Sequence, residues 1–265
     1  MKLTTTVFPS PAHSEPLLLI HGMGSAATAW KSIIPQLNQF FTVITVDLPG
    51  HGHTPITANQ PMEPKILASD VFETMHVLGF DRFDVVGNSL GGWISLEMAA
   101  MNPGAIKSVT GLAPAGLWLE PFTNRYPGTA ISRMLASSLK AVSPLLMKYE
   151  WARKIGFENV SPLWKSFPFE LCRDAADAMG SSAGYYPAWD AILKKRFESK
   201  IDSSIPITII FGDSDNTLPA ATCQERALVP SHARWLTLPD SGHAPMWDHP
   251  AEVIAEILRT TGKAL

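Results

Sequence analysis

A serine between glycines stands in Gly87-Asn88-Ser89-Leu90-Gly91-Gly92, after the apolar run Phe83-Asp84-Val85-Val86 and before the helix-like Trp93 to Ala100. Strand, tight turn and helix together present a serine hydroxyl at a sheet edge, the setting a nucleophile needs. Side chains two before and two after that serine would collide in such a turn, and Gly87 and Gly91 remove them. A serine hydroxyl is a poor nucleophile unless a base takes its proton during attack, and that base is commonly a histidine oriented by a carboxylate. His243, in Ser241-Gly242-His243-Ala244-Pro245, follows the last predicted strand and fits the order Ser…Asp…His. His13, His51, His53, His76, His232 and His249 lack that placement, and His21 precedes a glycine in a turn it is expected to prop. The acid falls in Gly212-Asp213-Ser214-Asp215, where residue types alone leave Asp213 and Asp215 open. An oxyanion needs two preorganised donors. The backbone N–H groups of Leu90, at the helix start, and of Met23, in His21-Gly22-Met23-Gly24, are expected to supply them.

These groups work together only if a scaffold brings them to one rim, and the rest of the chain reads as that scaffold. Leu17-Leu18-Leu19-Ile20 is a continuous apolar run, the mark of a strand buried on both faces. Strands are likewise predicted at Leu3–Phe8 (weakly), Val43–Val46, Phe83–Val86, Ile106–Leu112, Ile205–Phe211 and Arg234–Leu238. Helices are predicted near Ala26–Phe40, Lys65–Leu78, Trp93–Ala100, Ala220–Leu228 and Pro250–Arg259. Alternation of this kind gives right-handed crossovers and a doubly wound, mostly parallel α/β sheet, whose functional groups gather outside the carboxyl ends of its strands.

Between about Ala115 and Lys200 no strand-like run occurs. Helical periodicity appears instead over Ala130–Ser143, Leu145–Ile155, Phe169–Met179 and Ala188–Glu198, punctuated by prolines and dense in aromatic residues. The expected division is a core of residues 1–116 and 200–265 with a helical cap (lid) insertion of residues 117–199 over the rim.

Composition narrows the function classes. Of 265 residues, 46% are apolar and 17% charged, an ordinary globular balance in a chain long enough to need no disulfide staples. A net charge of −3 with no basic run gives no electrostatic case for nucleic acid or an anionic membrane. Cys172 and Cys223 have no metal-ligand spacing and read as free thiols of a reducing compartment. No run approaches the roughly 20 apolar residues that span a bilayer, and Met1 to Pro9 lacks a signal-peptide core. A cytoplasmic protein is expected, monomeric or homodimeric.

The segments His21-Gly22-Met23-Gly24, Asp47-Leu48-Pro49-Gly50-His51-Gly52, Gly87 to Gly92, Gly212 to Asp215 with Pro219, and Gly242-His243 occur in one order. In that order they resemble the α/β-hydrolase fold family. The resemblance implies Asp215, three residues past the strand-end glycine, as the acid of a triad with Ser89 and His243, and a loop-anchoring role for Asp47. It implies a serine carboxylesterase acting through an acyl-enzyme on small to medium hydrophobic esters, with no cofactor and no metal. Asn88 and the apolar Leu112 to Gly116 are similar to the esterase and meta-cleavage-product C–C hydrolase branch. Ala244 stands where that C–C group carries tryptophan, whereas Trp247 matches its second one. A C–C hydrolase or enol-lactonase is thus the alternative activity, and a small-molecule-binding receptor of the same fold the alternative of another class.

Overall fold

The structure is a computed structural model that describes residues 2–263 except 11, 13, 14, 126–133, 135, 136, 139 and 140. Seven strands, β1 (Thr4–Phe8), β2 (Pro16–Ile20), β3 (Thr42–Asp47), β4 (Phe83–Asn88), β5 (Ile106–Leu112), β6 (Ile207–Gly212) and β7 (Arg234–Leu238), form one sheet. Their order across it is β1-β3-β2-β4-β5-β6-β7. Only β1 runs antiparallel, against β3; every other pairing is parallel. The expected doubly wound, mostly parallel α/β architecture is therefore the one observed.

The apolar runs have a direct physical cause. Along β2, Leu18 and Ile20 enter one core cluster while Leu17 and Leu19 enter the other. Val85 and Val86, and Ile209 and Ile210, divide in the same way. Successive side chains point to opposite faces, so a strand covered on both sides must be apolar at every position. One cluster packs under the helices Pro64–Val77 and Leu90–Met101; the other holds Trp30, Ile33, Leu37 and Phe41 with the closing helix Pro250–Thr260.

Several helices differ from their expected extent. The helix expected over Ala26–Phe40 is a 3₁₀ turn, Ala27–Trp30, and a single α-turn, Ile34–Leu37. Pro35 lacks the N–H that would bond the Lys31 carbonyl, so a continuous helix cannot cross it. Strand β6 starts at Ile207 rather than Ile205, past Pro206, which has no donor for the ladder. The Ala220–Leu228 prediction resolves into Ala220–Cys223 and Arg226–Leu228, because the Glu225 N–H turns away to the Leu117 carbonyl at 2.7 Å. Instead of Ala188–Glu198, the helix is Tyr185–Ile192, with Pro187 in its first turn, where no N–H is needed. It stops before Lys194, whose φ is 58° and whose N–H bonds the Phe122 carbonyl.

Between β5 and β6 lie further helices, Ser143–Leu146, Glu150–Phe157 and Phe169–Ser181. Extended backbone at Tyr149 divides the helix expected over Leu145–Ile155. Met147, Ala152, Phe157, Trp164, Phe167 and Cys172 form a third apolar cluster, whereas Leu117, Trp118, Tyr185, Trp189 and Phe197 join the core of the sheet. Most of the helix expected over 130–143, with Tyr126, Pro127 and Arg133, and His13 near the amino end, lies outside the described residues. Cys172 and Cys223 are buried free thiols, and burial pushes the Cys172 pKa up to about 11. Among the described residues no helix is long and apolar enough to cross a membrane.

Candidate active site

The turn after β4 places Ser89 at φ 53° and ψ −117°, a conformation that non-glycine residues avoid and that persists only where surroundings over-determine it. Those surroundings are backbone. A Cβ on Gly87 would lie 2.1 Å from the Gly91 carbonyl oxygen, and one on Gly91 would lie 2.1 Å from the Ile20 carbonyl oxygen. The Ser89 N–H bonds the Leu112 carbonyl at 2.9 Å, and the Ser89 carbonyl accepts from Ala115 at 2.9 Å, so the turn is pinned to the end of β5. Leu90 opens the helix Leu90–Met101, where the first N–H groups have no intrahelical acceptor.

Asp215, in the loop after β6, is buried, its side chain only 1% exposed. Its Oδ1 accepts from the N–H groups of Thr217 at 2.9 Å and Leu218 at 2.8 Å. Its Oδ2 meets His243 Nδ1 at 2.9 Å. Burial by itself would raise this carboxyl's pKa. The attraction of His243, its hydrogen bond and those two backbone donors outweigh burial and hold the pKa below the ordinary carboxylate value. An ionised carboxylate only accepts, so Nδ1 carries the proton and Nε2 is the nitrogen with a free lone pair. Asp213, by contrast, is exposed and accepts from the Ser214 hydroxyl, at 2.9 Å.

The His243 loop is tied down from two sides. Its carbonyl accepts from Asn88 Nδ2 at 3.0 Å, and the same amide donates to the Leu112 carbonyl at 3.0 Å, strapping the elbow to the histidine loop. Its N–H bonds the Val160 carbonyl, from beyond the helix Glu150–Phe157, at 2.8 Å. Neither tie is legible in the sequence, where Asn88 stands out only as the neighbour of Ser89 and Val160 carries no chemical signature.

Met23 lies in the turn after β2. Beneath that turn His21 is fully buried; its Nε2 accepts from the Leu48 N–H at 3.0 Å and its Nδ1 donates to the Gly22 carbonyl at 2.7 Å. Burial pushes its pKa down, against the opposing effects of Gly22 and Asp47, so the ring is a neutral brace between two loops. Asp47 anchors the neighbouring turns by accepting from the Ala27 N–H at 2.8 Å and the His53 N–H at 2.9 Å.

Ser89, Leu90, Met23 and His243 open onto one cavity of about 340 Å³. Its walls are mainly apolar, with Phe122 in ring contact with both Trp118 and Trp189, and with Trp151, Phe157 and Trp247 also in the lining. Apart from His243, no Asp, Glu, Lys, Arg or His of the described residues lines it. Arg125 is paired with Asp190, Arg173 with Glu170 and Asp174, and Arg153 donates to the Phe167 carbonyl, all outside the cavity lining. Among the described residues no group of three or more His, Cys, Asp or Glu side chains is arranged to hold a metal. A serine, an imidazole bonded to a buried carboxylate, and the turn residues Met23 and Leu90 thus line one mainly apolar cavity.

The sequence is similar to the magnesium-chelatase 30 kDa subunit of Rhodobacter capsulatus, 27% identical over 237 residues covering 82% of this chain and 76% of that one. It is also similar to the pimeloyl-(acyl-carrier protein) methyl ester esterase of Legionella pneumophila, 26% identical over 246 residues covering 88% and 90%. In fold it is similar to a meta-cleavage product hydrolase of Pseudomonas fluorescens, with a TM-score of 0.74 at 18% identity over 98% of this chain and 94% of that one. The sequence model of the alpha/beta hydrolase family matches residues 17–257, from β2 into the closing helix. The chain belongs to the alpha/beta hydrolase family.

Proposed function

We propose that this hydrolase is a serine carboxylesterase for uncharged, hydrophobic esters of small to medium size. One observation carries the reading: Ser89 and His243 share a cavity without ionised walls, and His243 Nδ1 is held 2.9 Å from buried Asp215. Ser89 Oγ attacks the ester carbonyl as His243 Nε2 takes its proton. The N–H groups of Met23 and Leu90 receive the oxyanion. His243 then protonates the departing alcohol, and water, deprotonated in turn by His243, releases the acid from Ser89. Asp215 keeps the imidazole in the tautomer these steps need. The helices between β5 and β6 act as a lid that keeps the acyl group dry. Similarity to the Legionella methyl ester esterase supports the reaction class. The buried free thiols Cys172 and Cys223 accord with a cytoplasmic location, and the reading needs no more than a monomer or homodimer.

The test is hydrolysis of p-nitrophenyl esters from acetate to decanoate by wild type and Ser89→Ala. Turnover of short or medium esters is expected, with a loss of at least ~10³-fold in the variant. Wild type inert on the whole series, or a variant as active as wild type, overturns the reading. A receptor of this fold would instead bind a small molecule without turnover and keep that binding in Ser89→Ala. The vinylogous keto acids of C–C hydrolases carry a carboxylate that must find a cation. The absence of one among the described lining residues sets the ester reading ahead of that alternative.

A further inference from the structure

Asp248 ends the short helix Pro245–Asp248, five residues after His243, and its carboxylate joins two parts of the chain far apart in sequence. Oδ2 accepts from the Gly242 N–H at 2.7 Å and the Ser241 hydroxyl at 3.3 Å, the two residues before the histidine. Oδ1 accepts from the hydroxyl of Ser161, whose oxygen in turn accepts from the Leu163 N–H at 2.9 Å. Ser161 follows Val160, the residue whose carbonyl holds the His243 N–H. The two segments touch so closely that a Cβ on Gly242 would lie 2.0 Å from the Val160 carbonyl oxygen.

A carboxylate drawn out of water is destabilising unless donors surround it. Burial here raises the Asp248 pKa, and the bonds from Ser161, Gly242 and Ser241 offset that only in part. A surface-loop brace would not need this arrangement, because an exposed side chain would anchor a loop without the desolvation. What the arrangement adds is a fixed distance between the histidine backbone and the 157–161 segment, which lines the cavity through Phe157 and Val160.

We infer that Asp248 is a positioning residue: with Ser161 it clamps Ser241-Gly242-His243 against the Val160 segment and so holds the imidazole in line with Asp215. The inference rests on His243 being the base of the proposed esterase. In Asp248→Asn the side-chain shape is kept, but an amide NH₂ replaces one acceptor and faces a donor, either the Gly242 N–H or the Ser161 hydroxyl. Small displacements of a reacting group cost about 10²-fold in rate even when the substitution lies outside the reacting atoms. A fall in kcat of about 10- to 100-fold is therefore expected, with KM within about twofold, since no substrate contact is removed. Ser161→Ala leaves the Gly242 bond in place and should show the same split with a smaller loss.

Two measurements decide the matter. The first is kcat and KM of both variants on p-nitrophenyl butyrate. The second, independent of turnover, is the proton NMR resonance of the His243 Nδ1–H, expected to shift or broaden in Asp248→Asn while circular dichroism stays that of wild type. Unchanged kcat and an unchanged resonance in a folded variant overturn the inference, and so does a lowered Tm with both left intact. If Asp248→Asn does not fold, Ser161→Ala alone decides between these outcomes on the same two readouts. An inert wild type would sink the esterase reading instead, and the resonance would still report whether the clamp holds the ring.

Discussion

Replacing Asp215 with asparagine alters one atom at a place where the structure fixes the consequence. The two backbone donors, Thr217 and Leu218, both grip Oδ1, so the asparagine oxygen stays there and its NH₂ takes the position of Oδ2. That NH₂ then points at His243 Nδ1 from 2.9 Å, donor against donor. The imidazole escapes the conflict by moving its proton to Nε2, and an Nε2–H cannot accept a proton from Ser89. The fold should survive, because shape and both backbone bonds are kept. The wrong tautomer in an otherwise intact triad costs about 10⁴-fold in kcat. At ~1.36 kcal/mol per decade, that is about 5 kcal/mol of lost transition-state stabilisation. KM should change little. The assay is steady-state hydrolysis of p-nitrophenyl butyrate by Asp215→Asn beside Asp213→Asn, which touches the Ser214 hydroxyl and should lose less than about twofold. A loss under about tenfold for Asp215→Asn, or equal losses for both, would refute the assignment of the acid.

Three further outcomes follow from the same geometry. Gly91→Ala drives a Cβ to 2.1 Å from the Ile20 carbonyl, where only backbone movement relieves it. A cost of at least about 3 kcal/mol, or about 6–12 °C in Tm by calorimetry, is expected. Because the Asp215 pKa is depressed in the folded state, its stabilising contribution is complete above the unfolded value near 3.8 and drains away as pH falls through the lower folded value. Urea titrations of wild type and Asp215→Asn should accordingly converge below about pH 4, and a gap that widens there contradicts the shift. Mono-p-nitrophenyl succinate, a butyrate-sized ester with a free carboxylate, should show a kcat/KM at least about tenfold below that of the butyrate, since no cation among the described residues lines the cavity. Equal values would mean that a cation reaches the cavity.

How much of this is legible in the sequence differs from element to element for physical reasons. A strand covered on both faces declares itself as an unbroken apolar run, which is why β2 falls where predicted, within a residue. Residues at strand ends are punctuated by glycines that close backbone contacts require, so Ser89 and His243 stand out. Residue types do not separate Asp213 from Asp215. Their difference is burial, a property of the loop's path, and only the resemblance to a family points to Asp215. Helices read from periodicity alone fail wherever a proline or a distant carbonyl reclaims a backbone group, as at Pro35 and at Glu225. Asp248 leaves no signal, since a carboxylate just ahead of the closing helix looks like ordinary solvated charge until Ser161 is found beside it.

The third apolar cluster has a consequence for how the molecule opens. Met147, Ala152, Phe157, Trp164, Phe167 and Cys172 pack mainly on one another, while Trp118, Tyr185 and Trp189 are rooted in the sheet. Cooperative units of unequal stability exchange their amide hydrogens separately. Residues 147–172 are expected to exchange as such a unit while β2, β4 and β5 stay protected. Melting it releases the Val160 carbonyl from His243 and strips Phe157 from the cavity wall. Loss of activity on warming is accordingly expected before the sheet amides begin to exchange.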